Sequence, residues 1–143
     1  MADTIYKYLL NDGGFKTFIR LIGVADGLVA QLDGKGSYTV FAPTDEAFSK
    51  LEPGTVEKWT MDGDILLDIF RYHMLNTEMT SDQLKELAKE KKATEAADRN
   101  PINFDEEGDA LLVGNNKKMT KISKADIKCS NGVIHIVDDL LSI

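Results

Sequence analysis

With one cysteine, three prolines and one tryptophan among 143 residues, the chain lacks the raw material of several protein classes. A lone Cys129 excludes an internal disulfide framework and any multi-cysteine zinc or iron–sulfur centre, so packing must hold the fold. No apolar run approaches the roughly 18 residues that span a bilayer, and no membrane insertion is expected. The opening stretch carries acidic Asp3 and no apolar segment, so as written it reads as lacking an export signal. Positive charge is scarce as well: 17 Lys and Arg face 24 Asp and Glu, a formal charge of -7. That field repels phosphate backbones and anionic membranes, which removes nucleic acid from the expected partners. No Asn-x-Ser/Thr sequon occurs.

What is present is an ordinary core: 43% hydrophobic residues against 29% charged ones, enough apolar surface to offset chain entropy. The length suits one domain over 1–143. Apolar Ile5, Tyr8 and Leu9, then Phe15, Phe18, Ile19 and Ile22, recur at helical spacing on either side of Gly13-Gly14. A short stretch from Leu28 to Leu32 runs into the turn formers Asp33-Gly34-Lys35-Gly36, and the β-rich run Tyr38-Thr39-Val40-Phe41 follows. Thr44-Asp45-Glu46 opens a helix after Pro43, with the Thr44 hydroxyl as cap and the two acids complementing the helix dipole. Pro53 starts another short helix. Asp64 leads an amphipathic helix through Leu66, Ile69, Phe70 and His73, and Thr80-Ser81-Asp82 caps a helix from Gln83 to about Lys92. Beyond Thr94 short apolar stretches alternate with turn formers: Asp105-Glu106-Glu107-Gly108-Asp109, Gly114-Asn115-Asn116 and Asn131-Gly132. Helices in the first two thirds and hairpins in the last third predict an α+β fold.

Three segments carry a family pattern: Thr39-Val40-Phe41-Ala42-Pro43-Thr44-Asp45-Glu46-Ala47-Phe48, then Tyr72-His73, then Asn131-Gly132-Val133-Ile134-His135-Ile136-Val137-Asp138. In that order and spacing they resemble the first conserved box, the Tyr-His motif and the second conserved box of the fasciclin (FAS1) domain. The resemblance implies a wedge of about seven antiparallel strands flanked by several short helices. It also implies a non-enzymatic role in cell adhesion or matrix interaction, with a protein or polysaccharide partner and an extracellular, periplasmic or cell-surface setting. The motif residues Thr39, Phe41, Pro43, Thr44, Asp45, Phe48, Tyr72, His73, Asn131, Gly132 and His135 are expected to hold the fold. Self-association and a small apolar ligand or lipid, suggested by the apolar helix around Leu66 to Met74, remain alternatives.

No catalytic constellation accompanies these motifs. Ser37, Ser49 and Ser130 stand outside any Gly-x-Ser-x-Gly elbow, and two isolated histidines make no metal site by spacing, so no cofactor is expected. His73 on an apolar stripe reads first as a buried histidine, and His135, alternating with Val133 and Val137, as an ordinary strand position. Cys129 reads as a packing residue, although Lys128 beside it could lower the thiol pKa. The acidic run at 105–109 reads as a solvated turn. Lys117, Lys118, Lys121, Lys124 and Lys128 form a basic stretch that could steer an acidic partner, against the plainer reading of a charged strand face. The interaction candidates are Asp126, Ile127, Lys121 and Lys124. An Asp-Ile pair at this place belongs, in animal matrix members of the family, to an integrin-recognition motif; here Lys128 stands where those members have an apolar residue. The plainer reading has Asp126 ending a strand and Ile127 in the core.

Overall fold

The computed structural model describes residues 3–24, 27–51, 53–96, 101–108, 110–115 and 118–140. Helices α1 (Ile5–Asp12), α2 (Lys16–Val24) and α3 (Leu28–Asp33) precede strand β1 (Tyr38–Pro43). Then come α4 (Asp45–Ser49), α5 (Thr55–Met61), α6 (Gly63–Tyr72), the two-residue β2 (Met74–Leu75) and α7 (Ser81–Glu90). The chain finishes with β3 (Thr94–Glu95), β4 (Pro101–Glu107), β5 (Ala110–Asn115), β6 (Lys118–Cys129) and β7 (Gly132–Val137). Local chemistry sets the helix ends. The Thr44 hydroxyl accepts the Ala47 N–H at 3.2 Å, and the Gln83 side chain accepts the Thr80 N–H at 2.8 Å. Helix α6 starts one turn position earlier than its sequence suggests, because Asp62 rather than Asp64 is the cap, its carboxylate accepting the N–H groups of Asp64 and Ile65.

One sheet runs in the order β2-β1-β7-β6-β5-β4-β3. The expectation of an all-antiparallel wedge fails at one ladder: β1 and β7 pair in parallel, from Tyr38 opposite Gly132 to Pro43 opposite Val137. The sheet is therefore mixed. Antiparallel neighbours can be joined by tight hairpins, as from β4 through β7, whereas strands so distant in sequence need no turn and are free to align in parallel. The acidic turn is also corrected. Strand β4 continues to Glu107, with Asp105 opposite Leu112 and Glu107 opposite Ala110, so Asp105, Glu106 and Glu107 are strand residues and Gly108 begins the turn. Asp109 lies outside the described residues. Strand β6 is far longer than the apolar stretch Met119 to Ile122, because its first part pairs with β5 and its second with β7.

Side-chain alternation divides the interior in two. Val40, Ala42, Ile134 and Ile127 face a core with Ile5, Leu9, Phe18, Ile22, Leu66 and Phe70 from the helices. Phe41 and Val137 face the other way, into a second core with Tyr72, Leu75, Leu84, Ile102, Phe104 and Ile122. Aromatic rings key both layers: Phe18 meets Phe70 at 5.0 Å between centroids, and Phe41 meets Phe104 at 6.1 Å.

Candidate functional site

Motif residues from β1 and β7 meet where the two strands adjoin, second and third in the sheet, and those of α4 and α6 lie on the helices beside them. Asn131, 2% exposed, spends its whole side chain on backbone: Oδ1 accepts the Ile5 N–H at 2.9 Å, and Nδ2 donates to the carbonyls of Leu32 at 2.7 Å and Gly34 at 2.9 Å. The turn thus ties α1, the end of α3 and β7 together. Gly132 follows at φ +154°, and a Cβ there would lie 2.0 Å from the Tyr38 carbonyl oxygen. Only glycine lets β1 approach so closely.

Thr39, fully buried, donates its hydroxyl to the Thr77 carbonyl at 2.7 Å and accepts the Met79 N–H at 2.8 Å. The segment ahead of α7 is thereby anchored to β1. Asp45 does more than complement its own helix. Its carboxylate accepts the N–H groups of Lys16 at 3.3 Å and Thr17 at 2.8 Å, which caps α2 across 29 and 28 residues respectively. Phe48 packs on Phe18, and Pro43 closes β1 opposite Val137. Tyr72 and His73 are both 1% exposed: the Tyr72 hydroxyl donates to the Pro101 carbonyl at 3.0 Å, and His73 Nδ1–H donates to the Ile69 carbonyl at 2.7 Å.

His135 is fully buried, its ring stacked on Phe41 with centroids 5.8 Å apart. Nε2 lies 2.9 Å from the Met79 carbonyl oxygen, and Nδ1 accepts the Asp126 N–H at 3.2 Å. Asp126 does not end its strand. It sits within β6 at φ +61°, inside the register shift against β7 that separates Lys124 from Ile127, a conformation Asp tolerates better than most residues. Its carboxylate accepts the Ser81 N–H at 2.7 Å and the Ser81 hydroxyl, 45 residues away. Burial alone would raise the Asp126 pKa, yet the Ser81 hydrogen bonds, helped by His135 and Lys128, hold it below the ordinary carboxylate value.

Of the interaction candidates, Ile127 is 9% exposed and belongs to the helix-side core, while Asp126, Lys121 and Lys124 are exposed on β6. Lys128 is exposed too; Lys117 lies outside the described residues. Cys129 is half-buried, and burial with the nearby Asp3 pushes its thiol pKa up to about 11. The lowering expected from Lys128 is overturned, because desolvation of a thiolate outweighs one exposed cation. No cluster of three or more metal-ligating side chains occurs among the described residues. No helix among them is long and apolar enough to cross a membrane. Ser81, the partner of Asp126, carried no sign of that role in the sequence beyond its place in a helix cap.

Comparison with known proteins agrees with this architecture. The fasciclin domain family model matches residues 13–143, and the chain belongs to that family. The protein sll1483 of Synechocystis is 34% identical over 142 residues, covering 98% of this chain and 73% of that protein. A second Synechocystis protein, sll1735, is 31% identical with 96% of each chain covered. Human periostin is 34% identical over 99% of this chain, which spans 16% of periostin's length. The solved FAS1 domain pair from the insect cell adhesion molecule fasciclin I superposes with a TM-score of 0.84 at 22% identity, covering 99% of this chain and 51% of that one.

Proposed function

We propose that residues 1–143 act as one non-enzymatic interaction module, binding an anionic protein or polysaccharide at a cell surface or matrix through the exposed part of β6. The observation that carries this reading is the pair of exposed lysines, Lys121 and Lys124, on one strand of a chain whose formal charge is -7. Such a local reversal of sign steers an acidic partner more than it adds affinity. Asp126 and Ile127 contribute less than their sequence suggests, since Ser81 occupies the carboxylate and the core occupies the isoleucine. Membership of the fasciclin domain family supports the same direction.

An apolar-ligand carrier is less well supported. Leu66, Phe70 and Met74 are 0, 4 and 2% exposed and belong to the helix-side core. Surface hollows occur elsewhere, such as one of about 270 Å³ lined by Lys91, Lys92, Asn103, Phe104, Asp105 and Met119, and its charges do not suit a lipid.

The deciding experiment measures binding of the labelled chain to intact cells and to an immobilised sulfated polysaccharide, beside a folded Lys121→Ala/Lys124→Ala variant. Saturable binding that weakens in the variant and with added salt supports the proposal. Binding untouched by the variant moves the site off β6, and the absence of binding to either surface sinks the adhesion reading.

A further inference from the structure

The His135 ring joins two elements through nitrogens of opposite character. A carbonyl oxygen only accepts, so the Met79 contact at 2.9 Å requires the proton on Nε2. Nδ1 is then bare, as it must be to accept the Asp126 N–H. Asp126 transmits this bond onward: held at φ +61° in the β6 irregularity, it offers its carboxylate to the N–H and hydroxyl of Ser81, the first residue of α7. Met79, whose carbonyl the ring holds, leads into the same helix and is fixed by Thr39. One neutral imidazole therefore pins both sides of the junction between β6 and α7.

We propose that His135 is an acid-operated latch. A proton taken from solvent on Nδ1 turns the acceptor of the Asp126 N–H into a donor, sets two N–H groups against each other, and releases the Asp126 bulge and the first turn of α7 together. The step is a proton transfer alone: an O–H bond of hydronium is exchanged for an N–H bond on the Nδ1 lone pair, and no bond between heavy atoms changes. The charged group that faces the ring is the Asp126 carboxylate from β6, with Lys128 acting on that carboxylate in turn. From β1 the ring faces the uncharged Phe41, and from the segment before α7 the Met79 carbonyl. Burial lowers the His135 pKa from its ordinary 6.5, while the Met79 hydrogen bond and the Asp126 charge oppose that lowering without cancelling it. The folded chain thus binds this proton less readily than the unfolded chain. The latch is closed above about pH 6.5, and its contribution is lost as pH falls from there through the lower folded-state value. Opening frees the Asp126 carboxylate on the exposed strand that carries Lys121 and Lys124, so the surface offered to a partner differs between neutral and acidic surroundings. This holds whichever partner the domain takes.

The test is amide hydrogen exchange on the full chain between pH 7.5 and 5.0, corrected for intrinsic rates, in wild type and His135→Gln. Glutamine carries a donor and an acceptor but does not titrate. Protection at Ser81, Leu84 and Asp126 should lie below that at Ile134, fall by up to about tenfold per pH unit below pH 6.5 in the wild type, and stay constant in the variant. The proposal is overturned by a wild type whose protection does not change, by the same pH dependence in the variant, or by protection at Ser81 equal to that at Ile134 at every pH, which is global unfolding. Should His135→Gln not fold, ring nitrogen shifts of wild-type His135 decide: a midpoint shared with the Asp126 amide supports the latch, and a ring still neutral after that amide has shifted overturns it.

Discussion

Asn131 holds the backbone N–H of Ile5 from 126 residues away, and the same amide group reaches the carbonyls of Leu32 and Gly34. Each of these bonds is to main chain, so no side-chain rearrangement replaces them. Asn131→Ala should lower stability by about 2–4 kcal/mol, since three backbone groups lose a buried partner. Asn131→Asp should cost at least as much, because it keeps the acceptor but loses both donors and buries a charge. Urea unfolding of the two variants checks this; an alanine variant within about 0.5 kcal/mol of wild type contradicts it.

Gly132→Ala should prevent the β1–β7 ladder from closing. The added methyl carbon would meet the Tyr38 carbonyl at 2.0 Å, a contact with backbone that cannot rotate away, and φ +154° is strained for alanine besides. We expect loss of cooperative thermal unfolding or a melting temperature lower by at least about 10 °C. A variant that melts as wild type does would mean the two strands sit farther apart.

Asp45 caps a helix other than its own, and the two roles separate by substitution. Asp45→Ala should destabilise by about 1–2 kcal/mol and loosen the start of α2, seen as faster exchange at Thr17 and Phe18. Asp45→Asn retains an acceptor oxygen and should lose less than half as much. Equal losses in the two variants would assign the effect to charge instead of the hydrogen bonds.

Cys129 should be a sluggish thiol. With its pKa pushed up to about 11, a very small fraction is thiolate at neutral pH. A maleimide or disulfide reagent at pH 7.5 should modify it at least about tenfold more slowly than an unfolded control, and the rate should keep rising past pH 9. A rate that is half-maximal near pH 9 and level by about pH 10 would show an ordinary thiol.

The parts legible in the sequence are those whose causes are local. Asn131-Gly132 between apolar alternations encodes the β6–β7 hairpin, and Thr44 and Thr80 mark helix starts through bonds that span three residues. Helix α6 is readable from its apolar stripe, though its cap lies at Asp62 because either acid suits an N-terminal turn. The parallel β1–β7 ladder is illegible for the opposite reason: its partners are separated by most of the chain, and apolar strands of this kind pair in either direction. The candidate site divides the same way. His73 is readable as buried and His135 only as a strand residue, while the commitment of Asp126 to Ser81 depends on where α7 docks, and the rise of the Cys129 pKa depends on burial that no neighbour in sequence announces.

The strand order has a bearing on how the chain is made. Strand β7 lies between β1 and β6, so the last of these seven strands to be synthesised is the one that joins β1 to the rest of the sheet. Until about residue 137 has emerged, β1 has only the two-residue β2 beside it, and the helices before β1 have no finished surface to cover. Closing that ladder requires the ends of a long segment to meet, an entropic cost borne before any contact repays it. A nascent domain therefore keeps this sheet open until β7 has emerged, and only then can β1 and its helices join the hairpins that follow them.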